Sequence, residues 1–278
     1  MDDAPSALPA VQAARQGAIA SAKPTRSAGM QYLYSYRFVF DHPNWGMNLL
    51  ACSVCQLVPI VGPLVALGYQ EDVIESLHRG DGEKYPAFDM NRLGYYLQRS
   101  LWPFVVALVL MLVLLPVAML VMLVSVVGIG ALASMSGNSA PLVLGVAIPL
   151  SMVVQFSLSV VINMALLPIT LRAGLSQEFG QAFRLRWALG FLKRVWLEAL
   201  LAMLFLSLTS IGLLAVGLFL LCVGMYPAIA LVSLSWAHLQ YQLYELYLAR
   251  GGEPIPMKPP PVRVQPGYVA TVPTYGSP

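Results

Sequence analysis

Residues Leu101 to Leu171, LWPFVVALVLMLVLLPVAMLVMLVSVVGIGALASMSGNSAPLVLGVAIPLSMVVQFSLSVVINMALLPITL, contain no Asp, Glu, Lys, Arg or His. A helix that crosses a bilayer needs about 20 predominantly apolar residues, so this stretch holds two crossings joined by a turn. The first runs from Trp102 to Val127, with Pro116 as a kink. Gly128 to Pro141, rich in Gly and Ser and carrying Asn138, reads as an uncharged loop on the far side, and the second crossing runs from about Leu142 to Leu171.

Moving outward, Ala199 to Tyr244 carries only His238 among such groups, and a further pair of crossings fits Val195 to Tyr244 with its turn between Ser210 and Gly224. Across the 278 residues 58% are hydrophobic and 10% charged, less than half the charge of an ordinary soluble domain. The net charge of +3 is no nucleic-acid signal, because the basic residues flank apolar runs and form no single patch. The first 30 residues lack a basic start followed by a hydrophobic core, so no cleavable signal peptide is expected.

The earlier run, Asn44 to Tyr69, is broken by Pro59-Ile60-Val61-Gly62-Pro63. Each proline removes a backbone donor and clashes with the preceding turn, which leaves a kinked crossing or a re-entrant hairpin. Lys and Arg accumulate in cytoplasmic loops. The 16 basic residues divide into four before this run, four between it and Leu101, five between Leu171 and Leu197, and three after Tyr247. A full crossing puts the first four outside, whereas a hairpin puts all 16 inside and obeys the rule better. Ahead of the run, Tyr32, Tyr34, Tyr36, Phe38, Phe40 and Trp45 read as an interfacial approach.

Two basic connectors have helical periodicity. Met90, Leu93, Leu97 and Leu101 recur at spacings of three and four, with Arg92 and Arg99 on other faces. Leu175, Phe179, Phe183 and Trp187 recur every four, with Arg184 and Arg186 elsewhere. Such helices are expected to lie in the interface with the apolar side down. Tyr96-Leu97-Gln98-Arg99-Ser100-Leu101-Trp102 is echoed by Phe191-Leu192-Lys193-Arg194-Val195-Trp196, and Tyr69-Gln70 through Arg79-Gly80 by Tyr241-Gln242 through Arg250-Gly251. The echoes point to a duplicated unit, a pattern found in transporters and in inert bundles alike.

Asp41-His42-Pro43-Asn44-Trp45, Val58-Pro59-Ile60-Val61-Gly62-Pro63, Gly68-Tyr69, Arg79-Gly80 and Tyr85-Pro86-Ala87-Phe88-Asp89 together resemble the start of a prokaryotic family of integral membrane proteins, the domain-of-unknown-function 4013 family. Phe179, Phe183, Cys222-Val223-Gly224, Pro227 and Gln242-Leu243-Tyr244 extend the resemblance, which covers about Asp41 to Gly252. Phe88-Asp89 stands where that family usually ends its first loop in an acidic residue and Trp. The resemblance implies a bacterial or archaeal membrane protein and supplies no catalytic residues.

Chemistry-bearing residues are sparse. His42, His78 and His238 sit in separate segments and read as surface or interfacial groups, while Cys52 and Cys55 share a helical face as small packing residues. Glu71, Asp72, Glu75, Asp81 and Glu83, interleaved with Arg79 and Lys84, read as a solvated helix end. Glu198 is expected at headgroup depth, paired with Lys193 or Arg194. The most informative polar feature is Ser151, Gln155, Ser159 and Asn163, every fourth residue of the second crossing and hence on one face. Such a face must meet another helix or line a wet cavity, and Gln56, Ser207, Thr209 and Ser210 are candidate partners.

The expectation is an all-α membrane protein with four transmembrane helices, a re-entrant or kinked first hydrophobic segment, and two cytoplasmic interfacial amphipathic helices. A disordered tail at 1–30 and a proline-rich disordered tail at 251–278 flank the helical domain at 31–250. The location is the bacterial inner membrane with both termini cytoplasmic. The role is a non-enzymatic scaffold or interaction protein that needs no cofactor or metal and binds no nucleic acid. Its partners are the lipid bilayer and other membrane proteins. The alternative is a small-solute transporter or channel using the face that bears Gln155 and Asn163.

Overall fold

A computed structural model describes residues 29–80, 85–220 and 223–258, and every described element is helical. The N-terminal tail expected over 1–30 lies, but for its last two residues, outside the described residues, as do Asp81, Glu83 and Cys222. In chain order the helices are α1 (Tyr34–Phe40), α2 (Trp45–Gln56), α3 (Val61–Arg79), α4 (Leu93–Met135), α5 (Ala140–Ser176), α6 (Phe179–Ala182), α7 (Leu185–Phe219) and α8 (Met225–Ala249).

Helices α2 and α3 form a hairpin. The break falls at Leu57–Ile60, where Pro59 denies the helix a donor and Ile60 takes a φ of 69°, costly for a β-branched residue. The chain reverses so tightly that a Cβ on Gly62 would stand 2.0 Å from the Cys55 carbonyl oxygen. Only glycine fits there. With 12 residues, α2 is about 18 Å long, roughly half of what a bilayer crossing needs.

Three helical segments are long and apolar enough to cross a membrane: Met90–Met135, Gly137–Ser176 and Leu185–Phe219. Asp89 opens the first by accepting the Asn91 amide at 2.9 Å, and the 43 residues of α4 then run on through Pro103 and Pro116 for about 64 Å. Helix persists to Met135 and resumes at Ala140, so the loop expected over Gly128 to Pro141 shrinks to one turn around Gly137, at φ 51°. Pro141 sits in the first turn of α5, where its missing N–H costs nothing. Helix α7 breaks at Val195 (φ −131°, ψ 21°), which separates a basic first part from a predominantly apolar remainder whose one charged residue is Glu198.

Helix α8 is the fourth long helix and the centre of the fold, packed against α1, α2, α3 and α7. Its polar His238 and Gln240 are both buried, and it is not among the segments apolar enough to cross a membrane. The core around it is aromatic. Phe38 stacks on His238 at 4.2 Å, and Tyr247 packs against Trp187 and Phe191 at 5.3 and 5.1 Å.

Both connectors depart from expectation. The first is the beginning of α4, and it is turned the other way: Arg99 is 6% exposed, whereas Met90 and Leu101 are 49% and 47% exposed. In the second, α5 ends on Gln177 at φ 53°, the short α6 follows, and a further break at Arg184 precedes α7. Leu175, Phe179, Phe183 and Trp187 therefore belong to no continuous helix. The C-terminal boundary moves as well. Residues 251–258 strap back over the core, with Ile255 buried at 4% and its amide donating to the Tyr244 hydroxyl at 2.9 Å. The Trp187 indole donates to the Glu253 carbonyl at 2.8 Å, and the Glu253 amide donates to the Tyr247 hydroxyl at 3.0 Å.

Candidate functional site: a polar cleft and a buried charge cluster

The stripe on α5 keeps its common face, but no dry interface covers it. Gln155, Ser159 and Asn163 are exposed and Ser151 is half-buried. Asn163 donates to the Ser159 carbonyl at 2.8 Å, and the Ser151 hydroxyl donates to the Ile148 carbonyl at 2.8 Å, local bonds that partly satisfy each group. The 18-residue window that is most apolar in this segment has none of its residues buried.

Lower on α5 the same face opens into a cleft of about 350 Å³ between α5, α7 and α8. Its polar lining is Ser159, Asn163 and Thr170 from α5, Ser207 from α7 and Gln240 from α8, with Trp236 and Phe156 among the apolar walls. Of the expected partners, Ser207 alone lines this space. Thr209 bonds Tyr36 at 2.7 Å instead, and Ser210 donates to the Ser207 carbonyl. The cleft has hydrogen-bonding groups of both polarities and no ionised one, which suits a neutral polar ligand or the polar face of another helix.

Deeper in the fold, α3, α4 and α5 converge on charges. Glu71, Asp72 and Glu75, read from sequence as a solvated helix end, are 3%, 5% and 6% exposed. Packing turned them inward. A Cβ on Gly68 would stand 1.8 Å from the Tyr96 carbonyl oxygen, and one on Gly174 would stand 2.0 Å from the Glu71 carboxyl carbon, so two glycines bring the three helices together here. Arg99 donates to the Glu75 carboxylate, to the Glu71 carbonyl at 3.2 Å and to the Tyr95 hydroxyl at 3.0 Å. Tyr95 in turn donates to Asp72 at 3.0 Å, and Arg79 donates to Glu75 at 2.7 Å. Gln177 closes the set by donating to the Arg99 carbonyl at 3.0 Å.

Glu71 is the carboxylate this network leaves least satisfied, with Oε2 buried and without a hydrogen-bond partner among the described residues. Burial pushes its pKa up to about 8, against the pull of Arg99 and with Glu75 adding to the rise. Among the described residues no group of three His, Cys, Asp or Glu is placed to hold a metal ion. The cluster pairs buried charges, and burial favours the protonated form of Glu71.

Sequence reasoning missed the inward roles of Arg99, Tyr95 and Gln177. A signal existed in the matching i, i+4 pairs Glu71/Glu75 and Tyr95/Arg99, each of which shares a helical face. Two of the three histidines also differ from expectation. His42 and His238 are buried, and His42 accepts the Asn44 amide at 2.9 Å. His78 meets Glu245 at 2.7 Å. Glu198 pairs with Arg250, not with its neighbours in sequence, because α7 and α8 lie side by side there. Cys52 and Cys55 are buried free thiols in the α2 packing face.

No curated protein and no solved structure matches the chain. A family described as Protein of unknown function (DUF4013) matches residues 51–223, from within α2 to just past the end of α7. That span takes in the Gly62 hairpin, the buried charges and both long apolar helices of the polar cleft. With well over half its length inside the match, the chain belongs to the DUF4013 family of proteins of unknown function.

Proposed function

We propose that the protein is a membrane-embedded interaction protein without catalysis of its own, which receives another membrane helix on the polar face of α5. In this reading α4, α5, α7 and α8 cross the bacterial inner membrane, the α2/α3 hairpin re-enters it, and both termini are cytoplasmic. The distribution of basic residues and the shortness of α2 support that topology. The echoed segments occupy matching places in it: Arg99 reaches α3, and Arg194 donates to the Arg250 carbonyl at the end of α8.

One observation carries the proposal. Gln155, Ser159 and Asn163 stand exposed on a crossing helix whose most apolar window has no buried residue. Polar side chains facing hydrocarbon are costly, and each interhelical hydrogen bond made by covering them contributes about 0.6 to 2 kcal/mol. A second copy of the chain is the covering helix tested first. Gln155→Cys should crosslink two copies in native membranes, whereas Val153→Cys, on the opposite face, should not. Equal crosslinking at both positions, or none at either, contradicts the proposal.

The cleft beside Asn163 and Gln240 favours a second reading, a path for a small neutral solute. It predicts that Asn163→Leu alters solute flux in proteoliposomes while Gln155→Cys stays uncrosslinked.

A further inference from the structure

The start of α7 forms a pocket of about 620 Å³ lined by Arg184, Arg186 and Arg194, with Trp187 and Tyr247 in its walls and Glu253 as its one acid. Arg184 and Glu253 are 3.7 Å apart with more than half of each side chain exposed, a weak pair that leaves the pocket basic overall. Arg194 spends its Nε and one terminal nitrogen on the Arg250 and Gly190 carbonyls. Beneath the floor, Arg172 lies 4.9 Å from the Trp187 ring, fully buried, with one terminal nitrogen unpartnered among the described residues. Helix α7 starts here with no side-chain cap and no acid in its first turn, so its amide dipoles add to the same positive field.

Position identifies the ligand. Leu185 and Leu189, four apart on one face of this first segment, are 61% and 66% exposed, and Trp196, just past the Val195 break, is 54% exposed. Beyond the break α7 carries one charged residue, Glu198, and is otherwise predominantly apolar to Phe219. An amphipathic basic segment leading directly into a crossing lies at headgroup depth, where guanidinium groups meet lipid phosphates. We propose that this pocket binds the phosphate of an anionic phospholipid headgroup, with the exposed Arg184 and Arg186 as its clamps. Binding would displace Glu253 from Arg184. The proposal is independent of whether α5 docks a helix or lines a solute path.

The test uses the full chain in nanodiscs of phosphatidylcholine alone or with about one-third phosphatidylglycerol, at low ionic strength. Phosphatidylglycerol should raise the Tm by several degrees. The double variant Arg184→Gln/Arg186→Gln should lose most of that shift while matching the parent in phosphatidylcholine. Arg37→Gln, an exposed arginine outside the pocket, should keep it. Millimolar inorganic phosphate in phosphatidylcholine nanodiscs should leave the Tm unchanged. Equal Tm values in the two lipids, an undiminished shift in the double variant, or an equal loss in Arg37→Gln overturns the site. A shift produced by inorganic phosphate alone overturns the lipid as its ligand.

Discussion

Arg99 of α4 donates to the carboxylate of Glu75 of α3, and both side chains are more than nine-tenths buried. The pair joins the hairpin to the first long helix at a point where neither charge can be solvated. Removing Glu75 takes from the buried Arg99 its carboxylate partner, at a cost of about 3 to 5 kcal/mol, whereas removing Arg99 leaves Glu75 paired with Arg79. Glu75→Ala should therefore lower stability by that order in detergent unfolding, and Arg99→Ala by less, because Arg79 still pairs with Glu75. The double variant should lose less than the sum of the two. Additive losses would show that the pair is not coupled.

Glu71 gives a pH dependence of definite sign. Its folded-state pKa of about 8 lies above the 4.5 of a free glutamic acid, so the folded protein holds a proton the unfolded chain has released. The associated stability is complete below about pH 4.5 and disappears as pH rises through about 8. Glu71→Gln carries no such proton and escapes the loss. The variant should match the parent near pH 4.5 and exceed it near pH 9, by an amount on the order of 2 to 4 kcal/mol. A constant difference at both values would contradict the buried-acid assignment.

Gly68 and Gly145 separate close packing from mere helix composition. A Cβ at Gly68 meets the Tyr96 backbone, whereas nothing lies within 4 Å at Gly145. Gly68→Ala should force α3 and α4 apart and cost about 2 kcal/mol or more, while Gly145→Ala should be neutral or stabilise by up to about 1 kcal/mol. Thermal unfolding of the two variants side by side checks this.

The strap makes truncation a test of the C-terminal boundary. A stop after Lys258 keeps the whole strap and serves as the reference. A stop after Arg250 removes the buried Ile255 and the donors to the Tyr244 and Tyr247 hydroxyls, and should cost about 2 to 4 kcal/mol. Equal stability of the two truncations would mean that the strap does not hold.

The uncharged run Leu101 to Leu171 was legible because lipid excludes charge, and the Pro59 to Pro63 break because proline acts locally whatever surrounds it. The interior charges were not legible in the same way. Hydropathy scores Arg99 by residue type, yet its burial depends on Glu75, which lies on another helix, and on Gly68 and Gly174, which admit close approach. The proline-rich composition after Gly251 hid the strap for a similar reason, since its acceptors are tyrosine hydroxyls of α8. The face of Ser151, Gln155, Ser159 and Asn163 could be read from spacing alone, but the cleft beside it needed Ser207 and Gln240 from two other helices.

In the proposed topology four helices cross, and the first hydrophobic run enters and returns on one side. In a background with Cys52, Cys55 and Cys222 replaced by alanine, single cysteines at Ala20, Gln98 and Asn138 would be exposed to an impermeant thiol reagent in intact cells. The account predicts labelling at Asn138 alone, in the turn between α4 and α5, with Ala20 and Gln98 reacting only after lysis. Labelling of Ala20 together with Asn138 would make the first run a full crossing and contradict the hairpin.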